Sequence, residues 1–183
     1  MDRTREYGTA FFFTLVHAAL LSAGFLILAS QFSFPDILRV SAQERLALFQ
    51  QHEGLIVPAY YMMALSGLTQ IVIAVLFHQS FARPGSTMLL LALVAGVLAG
   101  TFQVMGFIRW PIAVPWLAQQ MSSATTDEAR QVIGLLEGLL NRYAGMAIGE
   151  HLGFLMQGLW TVFVSLAMLR GVLFAWPYGV IGV

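Results

Sequence analysis

The sequence lacks cysteine and lysine and carries little charge. Its 183 residues hold nine arginines and nine acids, so the charged fraction is 10% and the formal net charge is zero. Without cysteine, disulfides, thiolate metal sites and cysteine nucleophiles are excluded. Without lysine, Schiff-base chemistry and a P-loop lysine are excluded. Since no basic excess exists, we expect no nucleic-acid partner.

Apolar residues take the place of the missing charge. They make up 58% of the chain, whereas a soluble domain has roughly 45–50%. Four segments, at about 7–28, 55–78, 86–107 and 146–169, have the roughly 20 residues needed to cross a bilayer. We therefore predict a single all-α transmembrane domain over 1–183, a polytopic membrane helical bundle of four transmembrane helices surrounded by the lipid bilayer.

Two long connections, after the first and third spans, each contain a predicted amphipathic interfacial helix, at about 36–52 and about 127–142. Ser41 and Glu44 have the spacing of a capping box at the start of the first. Four spans place both long connections on one membrane face, which we call the long-loop face, and both termini on the other. The sequence thus predicts four spanning helices and two interfacial ones.

The short turn between spans 2 and 3 sets the predicted orientation. It contains Arg83 and no acid, so the positive-inside rule favours placing it and the N-terminus in the cytoplasm. We therefore expect an integral membrane protein with a cytoplasmic N-terminus. The apolar tail, 172–183, is too short to span and is expected to lie in the interface or to begin a fifth span.

Polar side chains inside the spans predict a cavity. At 100° per residue, Glu150 and Gln157 share one face of span 4. Counted from the long-loop face, the polar residues form two layers, about one and three turns deep. We expect them to line a polar cavity, with Arg109 able to pair with Glu150. The candidate ligand-binding residues are His17, Tyr60, Tyr61, Ser66, Gln103, Arg109, Glu150, His151 and Gln157.

Simpler interpretations stay open for the same residues. The amides and hydroxyls can act as hydrogen-bond glue between helices. Tyr60, Tyr61, Trp110 and Trp116 can form an aromatic belt at the interface. No His, Asp or Glu spacing typical of a metal site occurs, so the metal and cofactor content stays unassigned, and no residue is assigned a catalytic role.

Small residues on span 3 indicate close helix packing. Ala92, Gly96 and Gly100 recur every four residues and include a GxxxG motif. Such a face lets two helices approach closely, within one chain or between chains. A partner membrane subunit or a homo-oligomer is therefore a possible partner.

Two stretches carry a family resemblance, QVMGFIRWPIAVPWLA at 103–118 and YAGMAIGEHLGFLMQGLWT at 143–161. Together they resemble uncharacterised bacterial multi-pass membrane proteins of the domain-of-unknown-function 4386 type. The resemblance implies a membrane fold and a place in the bacterial inner membrane, but no activity. It draws attention to Gln103, Arg109, Trp110, Glu150, His151 and Trp160.

These patterns favour a non-enzymatic membrane protein that binds a partner subunit or a small ligand through the long-loop face. The alternative is a membrane-embedded enzyme or proton-coupled carrier that uses Glu150, His17 and Arg109, since an intramembrane carboxylate is the group that such a carrier needs.

Overall fold

The structure, a computed structural model, describes residues 3–81 and 86–169. Every regular element in these ranges is helical. Four helices in them are long and apolar enough to cross a membrane, which agrees with the all-helical membrane bundle predicted from the sequence. The Arg83 turn and the apolar tail, 172–183, lie outside the described residues.

The spanning helices extend beyond the predicted spans. The elements are α1 (Arg3–Gln31), a 3₁₀ turn (Asp36–Arg39), α2 (Ala42–Phe81), α3 (Thr87–Ser123), α4 (Asp127–Leu140), a π-helical segment (Asn141–Leu152) and α5 (Gly153–Leu169). Helix α3 continues through Pro111 and Pro115, so the segment expected to be a loop after residue 107 is helical as far as Ser123.

The region predicted as the first interfacial helix is joined to the second span. Helix α2 begins after Ser41, and the reciprocal capping box is confirmed: the Ser41 amide donates to Glu44 Oε2 at 3.2 Å, and the Glu44 amide donates to Ser41 Oγ at 3.3 Å. His52 has non-helical backbone angles, φ −126° and ψ 20°. This kink separates the first turns of α2 from its spanning part.

Helix α4 buries one of its charged residues, Glu137, and exposes the charged residues of its first turns. Thr126 caps its N-terminus by accepting a hydrogen bond from the Ala129 amide at 3.2 Å. Glu137 is its buried residue, whereas Leu135 and Leu139 are exposed. The helix then passes without a break into the π-helical segment and α5.

Glycines allow the helices to pack closely. Helices α2 and α3 form the centre of the bundle, with α1 packed on α2 and α5 on α3. A Cβ on Gly67 would lie 2.9 Å from the carbonyl oxygen of Gly100, and one on Gly96 would lie 2.6 Å from a ring carbon of Trp160. Both glycines of the GxxxG motif therefore face other helices of the same chain.

An aromatic cluster fills the core near the long-loop face. The rings of Tyr60 and Trp110 stack with centroids 4.8 Å apart, and Phe32 meets Trp110 edge-on at 5.0 Å. Tyr60 and Trp110 are buried, so an aromatic belt is the wrong interpretation for these two residues. Tyr61 and Trp116 are exposed, as a belt requires.

Candidate functional site

A cleft of about 910 Å³ lies between α1 and the segment formed by the π helix and α5. Helices α2 and α3 form its floor, since Tyr60, Met63 and Gln103 line it. Leu26 on one wall is 66% exposed and Phe154 on the other is 68% exposed. Because residues of both walls also lie on the outer surface, the cleft opens sideways between α1 and α5.

Six of the nine candidate residues line this cleft. They come from four helical stretches that are distant in sequence, and they are His17, Tyr60, Gln103, Arg109, Glu150 and Gln157. Apolar side chains supply much of the remaining wall, among them Leu21, Phe25 and Phe107. The site is therefore amphiphilic, whereas the sequence predicted a polar cavity.

The other three candidates do not line the cleft. Tyr61 and His151 are exposed side chains. Ser66 is buried, and its hydroxyl donates to the Met63 carbonyl at 2.7 Å. Tyr61 directly follows Tyr60 and His151 directly follows Glu150, so on a helix each points away from the neighbour that lines the cleft.

Arg109 is buried, and its hydrogen-bond acceptors are neutral groups. Its Nη2 donates to Asn141 Oδ1 at 3.1 Å and its Nη1 donates to the Gly106 carbonyl. The guanidinium carbon lies 5.2 Å from the Trp110 ring centroid, a cation–π distance. Gly145 makes room for it, because a Cβ there would lie 2.7 Å from the guanidinium carbon.

The predicted ion pair between Arg109 and Glu150 is absent. The ion pairs found among the described residues involve other side chains, and Asn141 takes the place that Glu150 was expected to hold. Helical phase placed both groups at one end of the cavity but could not choose between neighbouring acceptors. Both side chains still line the same cleft.

His17 is held in one tautomer. Its Nδ1 lies 2.9 Å from the Ser66 carbonyl oxygen, which can only accept, so Nδ1 carries the proton. Thr69 Oγ1 lies 3.1 Å from the same nitrogen and donates to the same carbonyl at 2.7 Å. In the neutral ring Nε2 is then an acceptor.

Three polar atoms on cleft residues are buried without a hydrogen-bond partner in the described part of the chain. They are the Tyr60 hydroxyl, Gln103 Oε1 and Gln157 Oε1. A buried polar group without a partner costs about 1–3 kcal/mol. Most buried polar groups in proteins are hydrogen-bonded, so three on one cleft point to a missing partner there.

A second buried cluster was missed by the sequence analysis. Arg45 Nε and Nη2 donate to the two carboxylate oxygens of Glu137 at 2.7 and 2.5 Å. Its Nη1 donates to the carbonyls of Ile37, Leu38 and Val40 at 3.0–3.3 Å. Both residues lie in the predicted interfacial helices, and the sequence analysis assigned neither of them a role.

Asn141 links this cluster to the cleft. It follows Glu137 by four residues, so both lie on one face of α4 and its continuation. Its Nδ2 donates to the Leu38 carbonyl at 3.1 Å, and its Oδ1 accepts from Arg109. The spacing of Glu137 and Asn141 was the signal available in the sequence.

The cleft does not resemble a metal centre. Among residues 3–81 and 86–169, no group of three His, Asp or Glu side chains is placed to hold a metal ion. Its functional groups suit hydrogen bonding, electrostatic attraction and apolar contact instead.

The comparison with protein families places the chain. The model of the family described as "Domain of unknown function (DUF4386)" matches residues 8–183. The chain belongs to this family. The match includes both stretches that carried the resemblance and every residue of the cleft. Neither the curated proteins nor the solved structures contain a match.

Proposed function

We propose that this DUF4386 protein is a non-enzymatic membrane protein that binds a small amphiphilic molecule in the cleft. The main supporting observation is that Tyr60, Gln103 and Gln157 each have a buried polar atom without a hydrogen-bond partner among the described residues. All three residues line one cleft. A ligand with polar groups would supply their missing hydrogen bonds. The apolar wall from α1 would hold its hydrocarbon part.

The sideways opening supports entry from the bilayer. Exposed apolar side chains at both edges of the cleft would face lipid if α1 and α5 span the membrane. We further propose that α4 lies in the membrane interface on the long-loop face, because it exposes Leu135 and Leu139 and buries Glu137. It would then cover the site from that side.

Quenching of tryptophan fluorescence tests the binding, because Trp110 lines the cleft. The probes are long-chain amphiphiles brominated on the chain, as the carboxylic acid, the alcohol and the amine, added to protein in phosphatidylcholine nanodiscs. We expect at least one probe to quench saturably, to be displaced by its unbrominated homologue, and to lose that component in Trp110→Phe. Non-saturable quenching by all three would contradict the proposal.

Two neighbouring substitutions provide a matched control. Ser22 lines the cleft and has no hydrogen bond among the described contacts, whereas Ala23 is exposed and does not line it. We expect Ser22→Phe to weaken probe binding by about tenfold, roughly 1.4 kcal/mol, and Ala23→Phe to leave it unchanged. Equal effects of the two would argue against the cleft as the site.

A proton-coupled carrier is the second candidate. The favouring observation is that Glu150 and His17 line the same cleft while Glu150 has no ion pair or hydrogen bond among the described contacts. Uptake of the same probes into proteoliposomes, driven by a pH gradient and lost in Glu150→Gln, would support a carrier. Binding without uptake would support the binding protein.

A further inference from the structure

Arg109, which lines the cleft, has no ion-pair partner in the described part of the chain, and this observation indicates the charge of the ligand. Arg109 is only 8% exposed and has no carboxylate within ion-pair distance among the described residues. A guanidinium has five N–H donors, and Arg109 uses its two terminal nitrogens on one neutral acceptor each. The carboxylates of Glu137 and Glu150 act on Arg109 only from beyond ion-pair distance. Since a buried cation that is incompletely compensated is costly, an anion from outside the chain would be favoured here.

The groups around Arg109 suit an anionic head group. Tyr60 lines the same cleft, is fully buried, and its hydroxyl has no partner, so it can donate to an anion. Arg39 also lines the cleft. Its side chain is 70% exposed and lies 3.7 Å from an Asp36 oxygen, so it adds a screened positive charge rather than a buried one.

The apolar wall indicates how a bound ligand would be oriented in the cleft. Leu26, Phe25 and Leu21 follow one another along α1 away from the end of the helix at Gln31. A chain laid against them would run from the Arg109 end of the cleft towards the middle of the bundle. This is the layout that an amphiphile would have in a bilayer, with its head near the long-loop face.

We infer that the ligand is an amphiphile with one anionic head group, a carboxylate or a phosphate, bound by Arg109 with its hydrocarbon chain along α1. This inference rests on the proposed function and names the class of its ligand. A free fatty acid and an acidic phospholipid share this chemistry.

Substitution of Glu150 distinguishes an anionic ligand from a cationic one. It is the acid that lines the cleft in the described part of the chain. An anionic head group would be repelled by its carboxylate, whereas a cationic one would be attracted. Glu150→Gln therefore strengthens the binding of an anionic ligand and weakens that of a cationic one.

The experiment uses the quenching assay on full-length protein in nanodiscs, with the brominated acid, alcohol and amine of one chain length. We expect the acid to bind more tightly than the other two. Arg109→Gln weakens acid binding by about ten- to hundredfold, since a hydrogen bond to a charged group is worth roughly 1.5–3 kcal/mol. Arg109→Lys keeps the charge and restores the preference for the acid over the alcohol.

The outcomes separate this inference from the proposed function. If the alcohol or the amine binds best in the cleft, or if Glu150→Gln weakens acid binding, the anionic head group is overturned while the binding function stands. If no probe binds saturably, both fail. A brominated phosphatidic acid distinguishes the sources: tighter binding than the fatty acid assigns a phospholipid, and weaker binding assigns a free fatty acid.

Discussion

Arg45 and Arg109 are both buried in the described part of this bundle, but their surroundings differ. Every nitrogen of the Arg45 guanidinium has a partner, including both carboxylate oxygens of Glu137. Arg109 meets neutral acceptors only and lines a cleft. The first arrangement is complete within the chain and holds α2 to α4. Under the proposed function, the second is completed by a ligand that enters the cleft.

This comparison shows how polar residues with a structural role can be distinguished from those with a functional role in a membrane protein. Both clusters contain a residue type that is rare in the apolar interior. Counting polar residues in spans does not distinguish them, but counting their partners does. The three polar atoms of cleft residues that lack a partner, on Tyr60, Gln103 and Gln157, follow the same logic as Arg109. No atom of Arg45 or Glu137 is among the unpartnered ones in the described part of the chain.

The largest expected effect comes from breaking the complete cluster. Glu137→Gln leaves the Arg45 charge buried without its counter-charge, which costs about 3–5 kcal/mol. Chemical unfolding in detergent should show this loss, and Glu53→Gln, at an exposed acid, should not. Wild-type stability in Glu137→Gln would show that the ion pair does not hold α4 in place.

The next effect concerns the contact that brings the π-helical segment to the cleft. A Cβ on Gly106 would lie 2.7 Å from the Gly149 Cα, so Gly106→Ala forces two backbones apart and costs about 1–3 kcal/mol. The control is Gly158→Ala in α5, where a Cβ meets nothing within 4 Å; there alanine favours the helix by up to about 1 kcal/mol. Equal unfolding free energies for the two variants would contradict the close contact.

Removal of an unpartnered polar group in the cleft should leave the free energy of unfolding unchanged or raise it, whereas removal of the counter-charge of Arg45 should lower it. Tyr60→Phe deletes a buried hydroxyl that has no partner, so the ligand-free protein should unfold with an unchanged free energy or one higher by about 1 kcal/mol. The same variant should bind the brominated acid more weakly. A marked loss of stability without ligand would reveal a structural partner for this hydroxyl.

The smallest effect is expected at the exposed ion pair beside the cleft. The Arg39 and Asp36 side chains are 70% and 91% exposed, and such pairs contribute about 0.2–1 kcal/mol. Asp36→Asn should therefore shift the unfolding midpoint by much less than Glu137→Gln, and high salt should abolish the shift. An effect as large as that of Glu137→Gln would mean that burial does not explain the contrast.

Hydrophobic periodicity and segment length predicted the features that depend on a single helix. The four spans, the Ser41–Glu44 capping box, and the faces of Gln157 and Gln103 follow from local rules. The choice of Asn141 over Glu150 as the partner of Arg109 depends on how two helices meet, which phase alone does not determine.

Two further features needed the tertiary structure. The π-helical segment departs from the 3.6-residue period assumed for the face of span 4, and its backbone contact with Gly106 depends on glycines that lie far apart in sequence. Tryptophan is a residue type typical of an aromatic belt, but Trp110 is buried in the aromatic cluster. Local patterns cannot show which amphiphilic side chains become core.

The most direct test of the central claim is native mass spectrometry of the protein released from nanodiscs made with its host's lipids. The claim predicts that wild type and Ala23→Phe carry the same bound small molecule and that Ser22→Phe has lost it, while Glu53→Gln retains it. Identical occupancy of Ser22→Phe and Ala23→Phe, or no bound molecule in the wild type, would contradict the claim that the cleft is completed by a ligand.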